Sequence, residues 1–524
     1  MVTNKEKKHL AIAWGTVGLG FVIRAVYAQG FLLVPDETNY WQWSRYLAWG
    51  YHDQAPLIAW TIHLATRLLG HTELAVRLPS LVSMTVVSTY ILLAAKRWFN
   101  AQVALQAVLV CQTILLFNIG GLLATADGLQ GAAWAAAGYH AARAFEDNGW
   151  TQWLLGGTCF GLGLLSKYTM VLFLPCLLLF ALLTASHRRR MLQVKPYAAC
   201  LIGLGFFTPV VLWNAANNWN SLRHVAHLGG ADQSFALHWN FLGDYLASQA
   251  ALLTPLVFVL VVMAWVRILR GGHGNPWICR FLFFISFPVI AGFALLSLHS
   301  RVYGNWPGAG YVAMPILMAA FWGQGALAGN GGKKRRLWLW TLWTSFILTL
   351  TVLIHVIWPV LPIPSRADRA AGETVGWDQL GRQAGRMHQN MEAQGPAFIF
   401  GLKYQIASEL AFYTPGKPRT VAINRWNRPN VYDYWWRDED LLGQNAVGVL
   451  TDGDARTRLL EVFEKVDPPQ PYAVFRPNIW EKRQSPEKLK PVHRFYLYRC
   501  YGFKGGLRWI PPTASDVRSG PQSE

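Results

Sequence analysis

The sequence predicts a mainly α, polytopic membrane protein of about eleven transmembrane helices, followed by a small C-terminal α/β domain on the outer face of the membrane. Composition is the first reason, because 53% of the 524 residues are hydrophobic and only 14% are charged, unlike an ordinary soluble protein. The distribution of carboxylates is the second reason, because only ten of the 28 Asp and Glu residues precede residue 365. We therefore expect a transmembrane domain over residues 1–364 and a soluble, extracytoplasmic domain over residues 365–524.

Apolar runs long enough to cross about 30 Å of hydrocarbon are the third reason. They lie near residues 9–33, 74–95, 101–119, 128–144, 151–166, 169–186, 197–213, 246–266, 281–299, 308–327 and 337–358. Lys and Arg accumulate on cytoplasmic segments, and a cytoplasmic N-terminus places 17 of the 24 basic residues before position 365 on that side. The net charge of +19 then follows from topology, so we expect the lipid bilayer and no nucleic acid as a partner.

Two outer loops are long. Residues 35–73 contain amphipathic stretches rich in Trp and Tyr, which suit the headgroup layer. Residues 214–245 are rich in Asn, His and Gly, and both a lid over a substrate and a plain connector fit them. In the tail, the pattern predicts strands at 397–400, 420–423, 446–450 and 495–501, and helices at 377–392, 404–413 and 455–466.

The ionisable residues of the membrane region concentrate at its outer face. Seven of the ten carboxylates and seven bases are predicted there, and charged groups near hydrocarbon are costly and tend to mark function. A flippase or lipid transporter would need polar groups along the whole crossing, so the asymmetry favours an enzyme. A transporter without transfer chemistry, and a scaffold whose acids only cap helices, are the alternatives.

Asp36 and Glu37 stand side by side after the first apolar run. Adjacent acids at this position could cap the following helix, hold a divalent metal or supply a general base. Asp53 and Asp127 are predicted on the same face. Acids without a clustered His are weak support for a metal, so no cofactor is expected to be required, and metal ligands are left unassigned.

Several stretches resemble family 39 glycosyltransferases of the GT-C class, the relatives of protein O-mannosyltransferases and of the lipid A aminoarabinose transferase. They are DETNYWQWSRYLAWGYHDQAPLIAW, ELAVRLPS, LLSKYT, VLWNAANNW, RVYGNWPGAGY, ASELAFYTPGKPR and NVYDYWW. The resemblance covers nearly the whole chain, and the Asp-Glu pair is its most specific element. Ala55-Pro56 and Thr125-Ala126-Asp127 depart from the Pro-Pro and Thr-Pro-Asp that relatives usually carry.

The resemblance implies a multi-pass protein of the cell inner membrane that takes a sugar from a polyprenyl-phosphate-linked donor. It would transfer the sugar, with inversion, to an envelope acceptor such as lipid A, a glycan or a protein. By its match to the motif, Asp36 is expected to be the catalytic base. Glu37 is expected to orient Asp36 or to bind the acceptor.

The departing phosphate needs positive charge, and the outer ends of two predicted helices supply it. Lys167, Tyr168 and Arg301 are the expected donor-phosphate site, and Tyr303, just beyond Arg301, is expected to support it. A lysine that only snorkels to the interface is the alternative for Lys167. His52 and Asp53 are expected to support sugar or phosphate binding, and Asp127 is expected to pair with one of the bases.

Overall fold

The computed structural model describes residues 3–234, 236–271, 276–324, 332–365, 367–483 and 489–509. It divides into two compact units, the first formed by Met1–Gly30 and Leu47–Ile354 and the second by Phe31–Tyr46 and His355–Glu524. The division differs from the expected boundary at residue 365 in one respect that matters for function: Phe31–Tyr46, expected in the transmembrane domain, is part of the unit that contains the tail.

The chain is predominantly helical. Its first helices are α1 (Asn4–Tyr27), α2 (Pro35–Arg45), α3 (Leu57–Leu69), α4 (Glu73–Trp98), α5 (Ala101–Thr113), α6 (Leu115–Gly120), α7 (Ala126–Asp147), α8 (Trp150–Ser166), α9 (Phe173–Leu183), α10 (Ala185–Arg188) and α11 (Val194–Ala216). The remaining helices are α12 (Asn220–Leu228), α13 (Trp239–Leu253), α14 (Pro255–Leu269), α15 (Pro276–Phe284), α16 (Phe287–Leu296), α17 (Met314–Met318), α18 (Gly332–Ile357), α19 (Arg369–Thr374), α20 (Trp377–Glu392), α21 (Tyr404–Tyr413) and α22 (Arg456–Leu459).

Five helical segments in the described part of the chain are long and apolar enough to cross a membrane, and two bent pairs raise the number to seven. The five are Asn4–Tyr27, Glu73–Trp98, Val194–Ala216, Trp277–Leu296 and Gly332–Ile357. The bent pairs break near Thr184 and Thr254, and three other apolar helices are shorter than a full crossing. The multi-pass helical architecture is as predicted, but the count of eleven transmembrane helices is not confirmed.

Local sequence signals explain where the helices of the first unit begin and end. The side chains of Thr72 and Asn100 accept the N–H groups of Ala75 and Val103, which are otherwise unsatisfied at a helix start. Helix α7 ends at Asn148, whose φ of 53° is a conformation that Asn tolerates well. The chain can therefore reverse at once into α8.

Ion pairs join helix ends that the sequence predicts to share a face. Arg97 at the end of α4 lies 2.7 Å from Glu146 and 3.5 Å from Asp147 at the end of α7, and Asp147 also pairs with Arg143 of its own helix at 2.7 Å. These four residues were all expected on the inner face. The pairs are consistent with the predicted alternation of the helices, while the cytoplasmic orientation of that face stays a prediction.

The second unit contains a six-stranded sheet of β1 (Ala397–Gly401), β2 (Thr420–Ala422), β3 (Asn445–Leu450), β4 (Phe463–Val466), β5 (Gln470–Val474) and β6 (His493–Phe503). The order is β2-β1-β3-β6-β4, and β5 also pairs with β6. Strand β1 is parallel to β2 and β3, whereas β6 is antiparallel to its neighbours. This confirms the predicted α/β character of the tail.

Alternating side chains of the sheet form two separate cores. Phe398 and Phe400 pack with Phe463 on one face. Ile399 packs on the other face with residues of α20 and α21, such as Leu380 and Leu410. The predicted helix at 455–466 is wrong beyond its first turn, because the segment from Phe463 to Val466 pairs with β6 as a strand and both of these residues are buried in the core.

Candidate functional site

Helix α2 carries the two adjacent acids in its first turn. Pro35 suits the first helical position because its fixed φ matches a helix and its missing N–H is not needed there. Glu37 is fully buried, and its Oε2 accepts the N–H of Val34 at 3.0 Å. Asp36 is exposed. The helix-capping alternative therefore applies to Glu37, and Asp36 is the acid that a substrate can reach.

The position of α2 is determined by its packing within the second unit. Trp41 is fully buried and meets the ring of Phe412 edge-on, with centroids 4.9 Å apart. The hydroxyl of Tyr413 accepts the N–H of Leu33 at 2.7 Å. Gln42 Nε2 donates to the hydroxyl of Tyr432 at 3.2 Å. These contacts hold Asp36 on a helix rather than on a mobile loop.

The far end of α2 is electrostatically unusual. Arg45 Nη1 and Nη2 donate to the carbonyls of Pro418 and Lys417 at 3.2 and 3.1 Å. Burial lowers the pKa of the Arg45 guanidinium and raises the pKa of the Tyr46 phenol. The two hydrogen bonds make Arg45 a clamp between α2 and the loop before β2.

One aromatic residue of the tail lies beside Asp36, and a basic residue lies over its ring. The hydroxyl of Tyr404, the first residue of α21, donates to Asp36 Oδ1 over 3.5 Å, a long hydrogen bond. The guanidinium of Arg428 lies over the ring of Tyr404, 5.8 Å from its centroid. Sequence analysis assigned neither residue to the site, because nothing in the chain pattern links positions 404 and 428 to position 36.

A second group of predicted residues comes together in the first unit. Lys167 follows the end of α8, is buried, and its Nζ lies 2.6 Å from Asp127 Oδ1. Asp127 is in the first turn of α7, where a carboxylate is favoured by the helix dipole. The other oxygen, Oδ2, accepts from Asn305 Nδ2 at 3.1 Å.

The loop that contains His52 and Asp53 lies close to Tyr168, the residue after Lys167. Ala55 of this loop is in one buried apolar cluster with Leu165 and Tyr168. The Tyr168 hydroxyl is 2.7 Å from the hydroxyl of Ser221 in α12. The end of α8 is therefore the place where the predicted loop residues and the long loop over 214–245 meet.

Three residues near this point have the arrangement of metal ligands. The nitrogen and oxygen atoms of His52, Asp53 and His224 that could bind an ion all lie within 4.8 Å of one another. His224 Nε2 is 3.2 Å from Asp53 Oδ1. Two His nitrogens with one carboxylate form a donor set that suits zinc and similar ions. His224 supplies the clustered histidine that sequence analysis did not find.

Arg301 and Tyr303 lie apart from these contacts. Both are exposed, and Arg301 makes no ion pair with any residue that the structure describes. Tyr303 packs near Trp306, with ring centroids 5.7 Å apart. Asn305, which lies between Tyr303 and Trp306 in the sequence, contacts Asp127. The roles of all these residues stay predictions.

Part of the chain is similar to known glycosyltransferases. Residues 53–213 match the model of the dolichyl-phosphate-mannose-protein mannosyltransferases. Two curated relatives come from Rhizobium johnstonii. The lipid A galacturonosyltransferase RgtD is 26% identical over 57% of this chain and 63% of its own length. The lipopolysaccharide core galacturonosyltransferase RgtA is 25% identical over 60% and 65%. The chain thus spans just under two thirds of each relative.

Solved structures support the same assignment at the level of fold. ArnT from Cupriavidus metallidurans matches 92% of this chain and 97% of its own with a TM-score of 0.60 at 14% identity, in the apo state and bound to undecaprenyl phosphate. An oligosaccharyltransferase of Archaeoglobus fulgidus matches 86% of this chain and 69% of its own with a TM-score of 0.53 at 11% identity. These matches confirm the resemblance to the GT-C glycosyltransferases.

The range matched by the family model includes several of the predicted site residues. Its residues 53–213 include Asp53, Asp127, Lys167 and Tyr168, which are the predicted site residues that the first unit brings near the end of α8. Asp36 lies outside the matched range, so its assignment rests on the motif quoted from the sequence and on its exposure in the structure.

Proposed function

We propose that this protein is a membrane glycosyltransferase that moves a sugar from a polyprenyl-phosphate-linked donor to a hydroxyl or phosphate of an envelope acceptor. The observation that supports it most is the difference between the adjacent acids. Glu37 is buried and occupied with capping α2, whereas Asp36 is exposed on a helix held by packing. An accessible carboxylate positioned in this way suits a general base.

The proposed reaction is a single displacement. The acceptor oxygen loses its proton to the Asp36 carboxylate and attacks the anomeric carbon. The bond between that carbon and the phosphate oxygen breaks with inversion, and polyprenyl phosphate leaves. Lys167 is the proposed cation that stabilises the departing phosphate. Asp127 holds the Lys167 ammonium group in place, and Asn305 donates a hydrogen bond to the same Asp127 carboxylate. Arg301 is proposed to add charge to the same phosphate.

We propose lipid A or the lipopolysaccharide core as the acceptor and a hexuronic acid as the sugar. Both curated relatives are named galacturonosyltransferases, one of lipid A and one of the core. A uronic acid carries a carboxylate that needs a cation. Arg428, over the ring of Tyr404 next to Asp36, is the proposed partner of that carboxylate.

The proposed reaction takes place at the extracytoplasmic face of the inner membrane, with the N-terminus in the cytoplasm. It requires no metal in any step, because side chains supply the base and the positive charge. An ion held by His52, Asp53 and His224 would add positive charge near the end of α8.

The test is mass spectrometry of envelope lipids and glycans from a strain in which the gene is deleted. That strain carries an empty vector or a vector that expresses the wild-type protein, Asp36→Asn or Glu37→Gln, and product is compared per amount of protein. We expect one sugar mass to be absent from the deletion and Asp36→Asn strains. Glu37→Gln should lower protein yield or melting temperature more than product per protein. Full product with Asp36→Asn would reject Asp36 as the base. Accumulation of the lipid-linked sugar on the cytoplasmic face of the membrane would support the flippase alternative.

A further inference from the structure

The first unit contains an apolar cavity that the proposed chemistry does not use. Its volume is about 420 Å³, within the range of ligand-binding pockets. The walls come from the last turns of α7, the first half of α8, helix α9 and the first turns of α11. On α8 the wall ends at Phe160, seven positions before Lys167 and roughly 10 Å away along the helix. On α8 the cavity therefore stops short of the Lys167–Asp127 pair.

The wall of the cavity is almost entirely carbon. Gln152 is one of its few polar residues, and its Oε1 is 2.9 Å from His140 Nδ1, whose other ring nitrogen is 3.2 Å from the hydroxyl of Tyr90. A buried water needs two to four polar partners, and this wall does not offer them. An apolar occupant fits better. Tyr197 and Leu178 line the cavity yet are about half exposed, at 56% and 46%, so it opens on the side of the helices.

Two basic residues directly precede a residue of the cavity wall in the sequence. Arg190 directly precedes Met191, which lines the cavity. The nearby acids Glu146 and Asp147 already pair with Arg97 and Arg143. Arg189 and Arg190 make no ion pair with the residues that the structure describes. Basic pockets between transmembrane helices bind anionic lipid headgroups.

We propose that this cavity binds one acyl chain of an anionic phospholipid, whose phosphate meets Arg189 and Arg190. The apolar wall and its lateral opening accept the chain, and the adjacent cations select the headgroup. The site is distinct from the proposed transfer site, and it does not depend on the protein being a transferase.

Gly156 offers a way to fill the cavity without disturbing the helices. It lines the cavity, and an added Cβ would meet only ordinary contacts, the nearest being Ala141 N at 3.7 Å. At the next residue, Gly157, a Cβ would collide with the backbone of Ala199. Gly205 on α11 has open space around it and is exposed. Gly156→Leu is therefore the test variant and Gly205→Leu the matched control.

The experiment is native mass spectrometry of the full chain purified in detergent, after incubation with an equal mixture of phosphatidylglycerol and phosphatidylethanolamine. We expect one retained phosphatidylglycerol per wild-type chain and per Gly205→Leu chain, and loss of it in Gly156→Leu. The double variant Arg189→Gln, Arg190→Gln should lower the preference for phosphatidylglycerol by roughly fivefold or more, the order expected from removing cations at an anionic headgroup. Arg189→Lys with Arg190→Lys should retain the preference.

Three results would overturn the proposal. They are unchanged lipid retention in Gly156→Leu with a normal melting temperature, equal retention of the two phospholipids by wild type, and retention of polyprenyl phosphate at this site in place of a phospholipid. None of these readouts involves sugar transfer, so failure here leaves the proposed function untouched.

Discussion

Asp127 holds the Lys167 ammonium at the end of α8 through a 2.6 Å contact. A buried lysine is costly unless an anion compensates it, and the Asp127 carboxylate is that anion in the structure. A departing phosphate would add a second negative group beside the same cation. A lysine that merely reaches the membrane surface would not need this carboxylate, and the two alternatives differ in how much activity depends on Lys167.

We therefore expect Lys167→Ala to lower kcat by roughly 10²–10³-fold, the order found when one group that stabilises developing charge is removed. Lys167→Arg should retain more activity than Lys167→Ala. The measurement is transfer by purified protein with saturating polyprenyl-phosphate sugar. A loss below tenfold, with correct folding shown by melting temperature, would favour the snorkelling alternative. Lys195, whose Nζ donates to the Asn148 carbonyl at 2.7 Å, is the control position, and Lys195→Ala should leave kcat unchanged.

Arg428 and Arg425 lie in the same loop of the tail but have different neighbours. Arg428 stacks over Tyr404 beside Asp36, whereas Arg425 Nε lies 3.5 Å from Glu461. We expect Arg428→Gln to raise KM for a uronate donor about tenfold, because one charge-assisted contact is lost, and to leave KM for a neutral-sugar donor unchanged. Arg425→Gln should change neither. Equal effects of Arg428→Gln on both donors would contradict uronate recognition.

The trio of His52, Asp53 and His224 makes metal dependence testable. Because side chains supply the proposed charges, we expect transfer to survive extensive dialysis against a chelator. Loss of activity that zinc or manganese restores in wild type but not in His224→Ala would contradict a metal-free reaction and assign the trio as ligands. Metal content per chain, measured in parallel, separates loss of an ion from loss of folding.

At the scale of elements, α2 is the helix that links the acids to the tail. Its buried side chains are polar and aromatic, including Thr38, Trp41 and Gln42, and they contact α21 and the residues around β2. A helix with this composition would be poorly stabilised by lipid tails alone. It is stabilised instead by the second unit.

Removing the Trp41 ring should therefore loosen the tail as well as the helix that carries Asp36. We expect Trp41→Ala to destabilise the second unit by about 3–5 kcal/mol, the usual cost of such a cavity. Amides of α21 should exchange faster with deuterium in the detergent-purified chain. Trp49→Ala, at a residue that is 62% exposed, is the control. Unchanged exchange in α21 for Trp41→Ala would show that α2 is held by other contacts.

At the scale of the whole molecule, the distribution of charge predicts which side of the membrane each segment occupies. Four of the six natural cysteines, Cys111, Cys176, Cys279 and Cys500, are buried, and burial raises the pKa of the Cys500 thiol in the tail. Cys159 and Cys200 are partly buried, so both are replaced by serine before labelling. Single exposed cysteines can be introduced on each predicted side.

We expect a membrane-impermeant maleimide to label Asn217→Cys and Glu439→Cys in intact spheroplasts, because both positions are predicted to be extracytoplasmic. Ser186→Cys should react only after the membrane is permeabilised. Labelling of Ser186→Cys alone in intact spheroplasts would reverse the orientation. The expected pattern would place the tail and the outer loops on the side where the proposed transfer occurs.

The sequence was sufficient for the features that depend on composition and local periodicity. Hydrophobic content indicated a helical membrane region, short apolar and aromatic runs located β1, β2, β3 and β6, and helical patterns located α20 and α21. The Asp-Glu motif pointed to the GT-C class. These features follow from burial and backbone geometry over a few turns or strands, so neighbouring residues in the chain are enough to predict them.

Tertiary structure decided the features that depend on contacts between distant residues. It assigned α2 to the unit of the tail, left Asp36 exposed while burying Glu37, and brought His224 to His52 and Asp53. It also replaced the end of the predicted helix at 455–466 by β4, because a sheet edge paired with that segment. Pairing across hundreds of residues leaves no local pattern, since side-chain proximity is set by how whole elements pack.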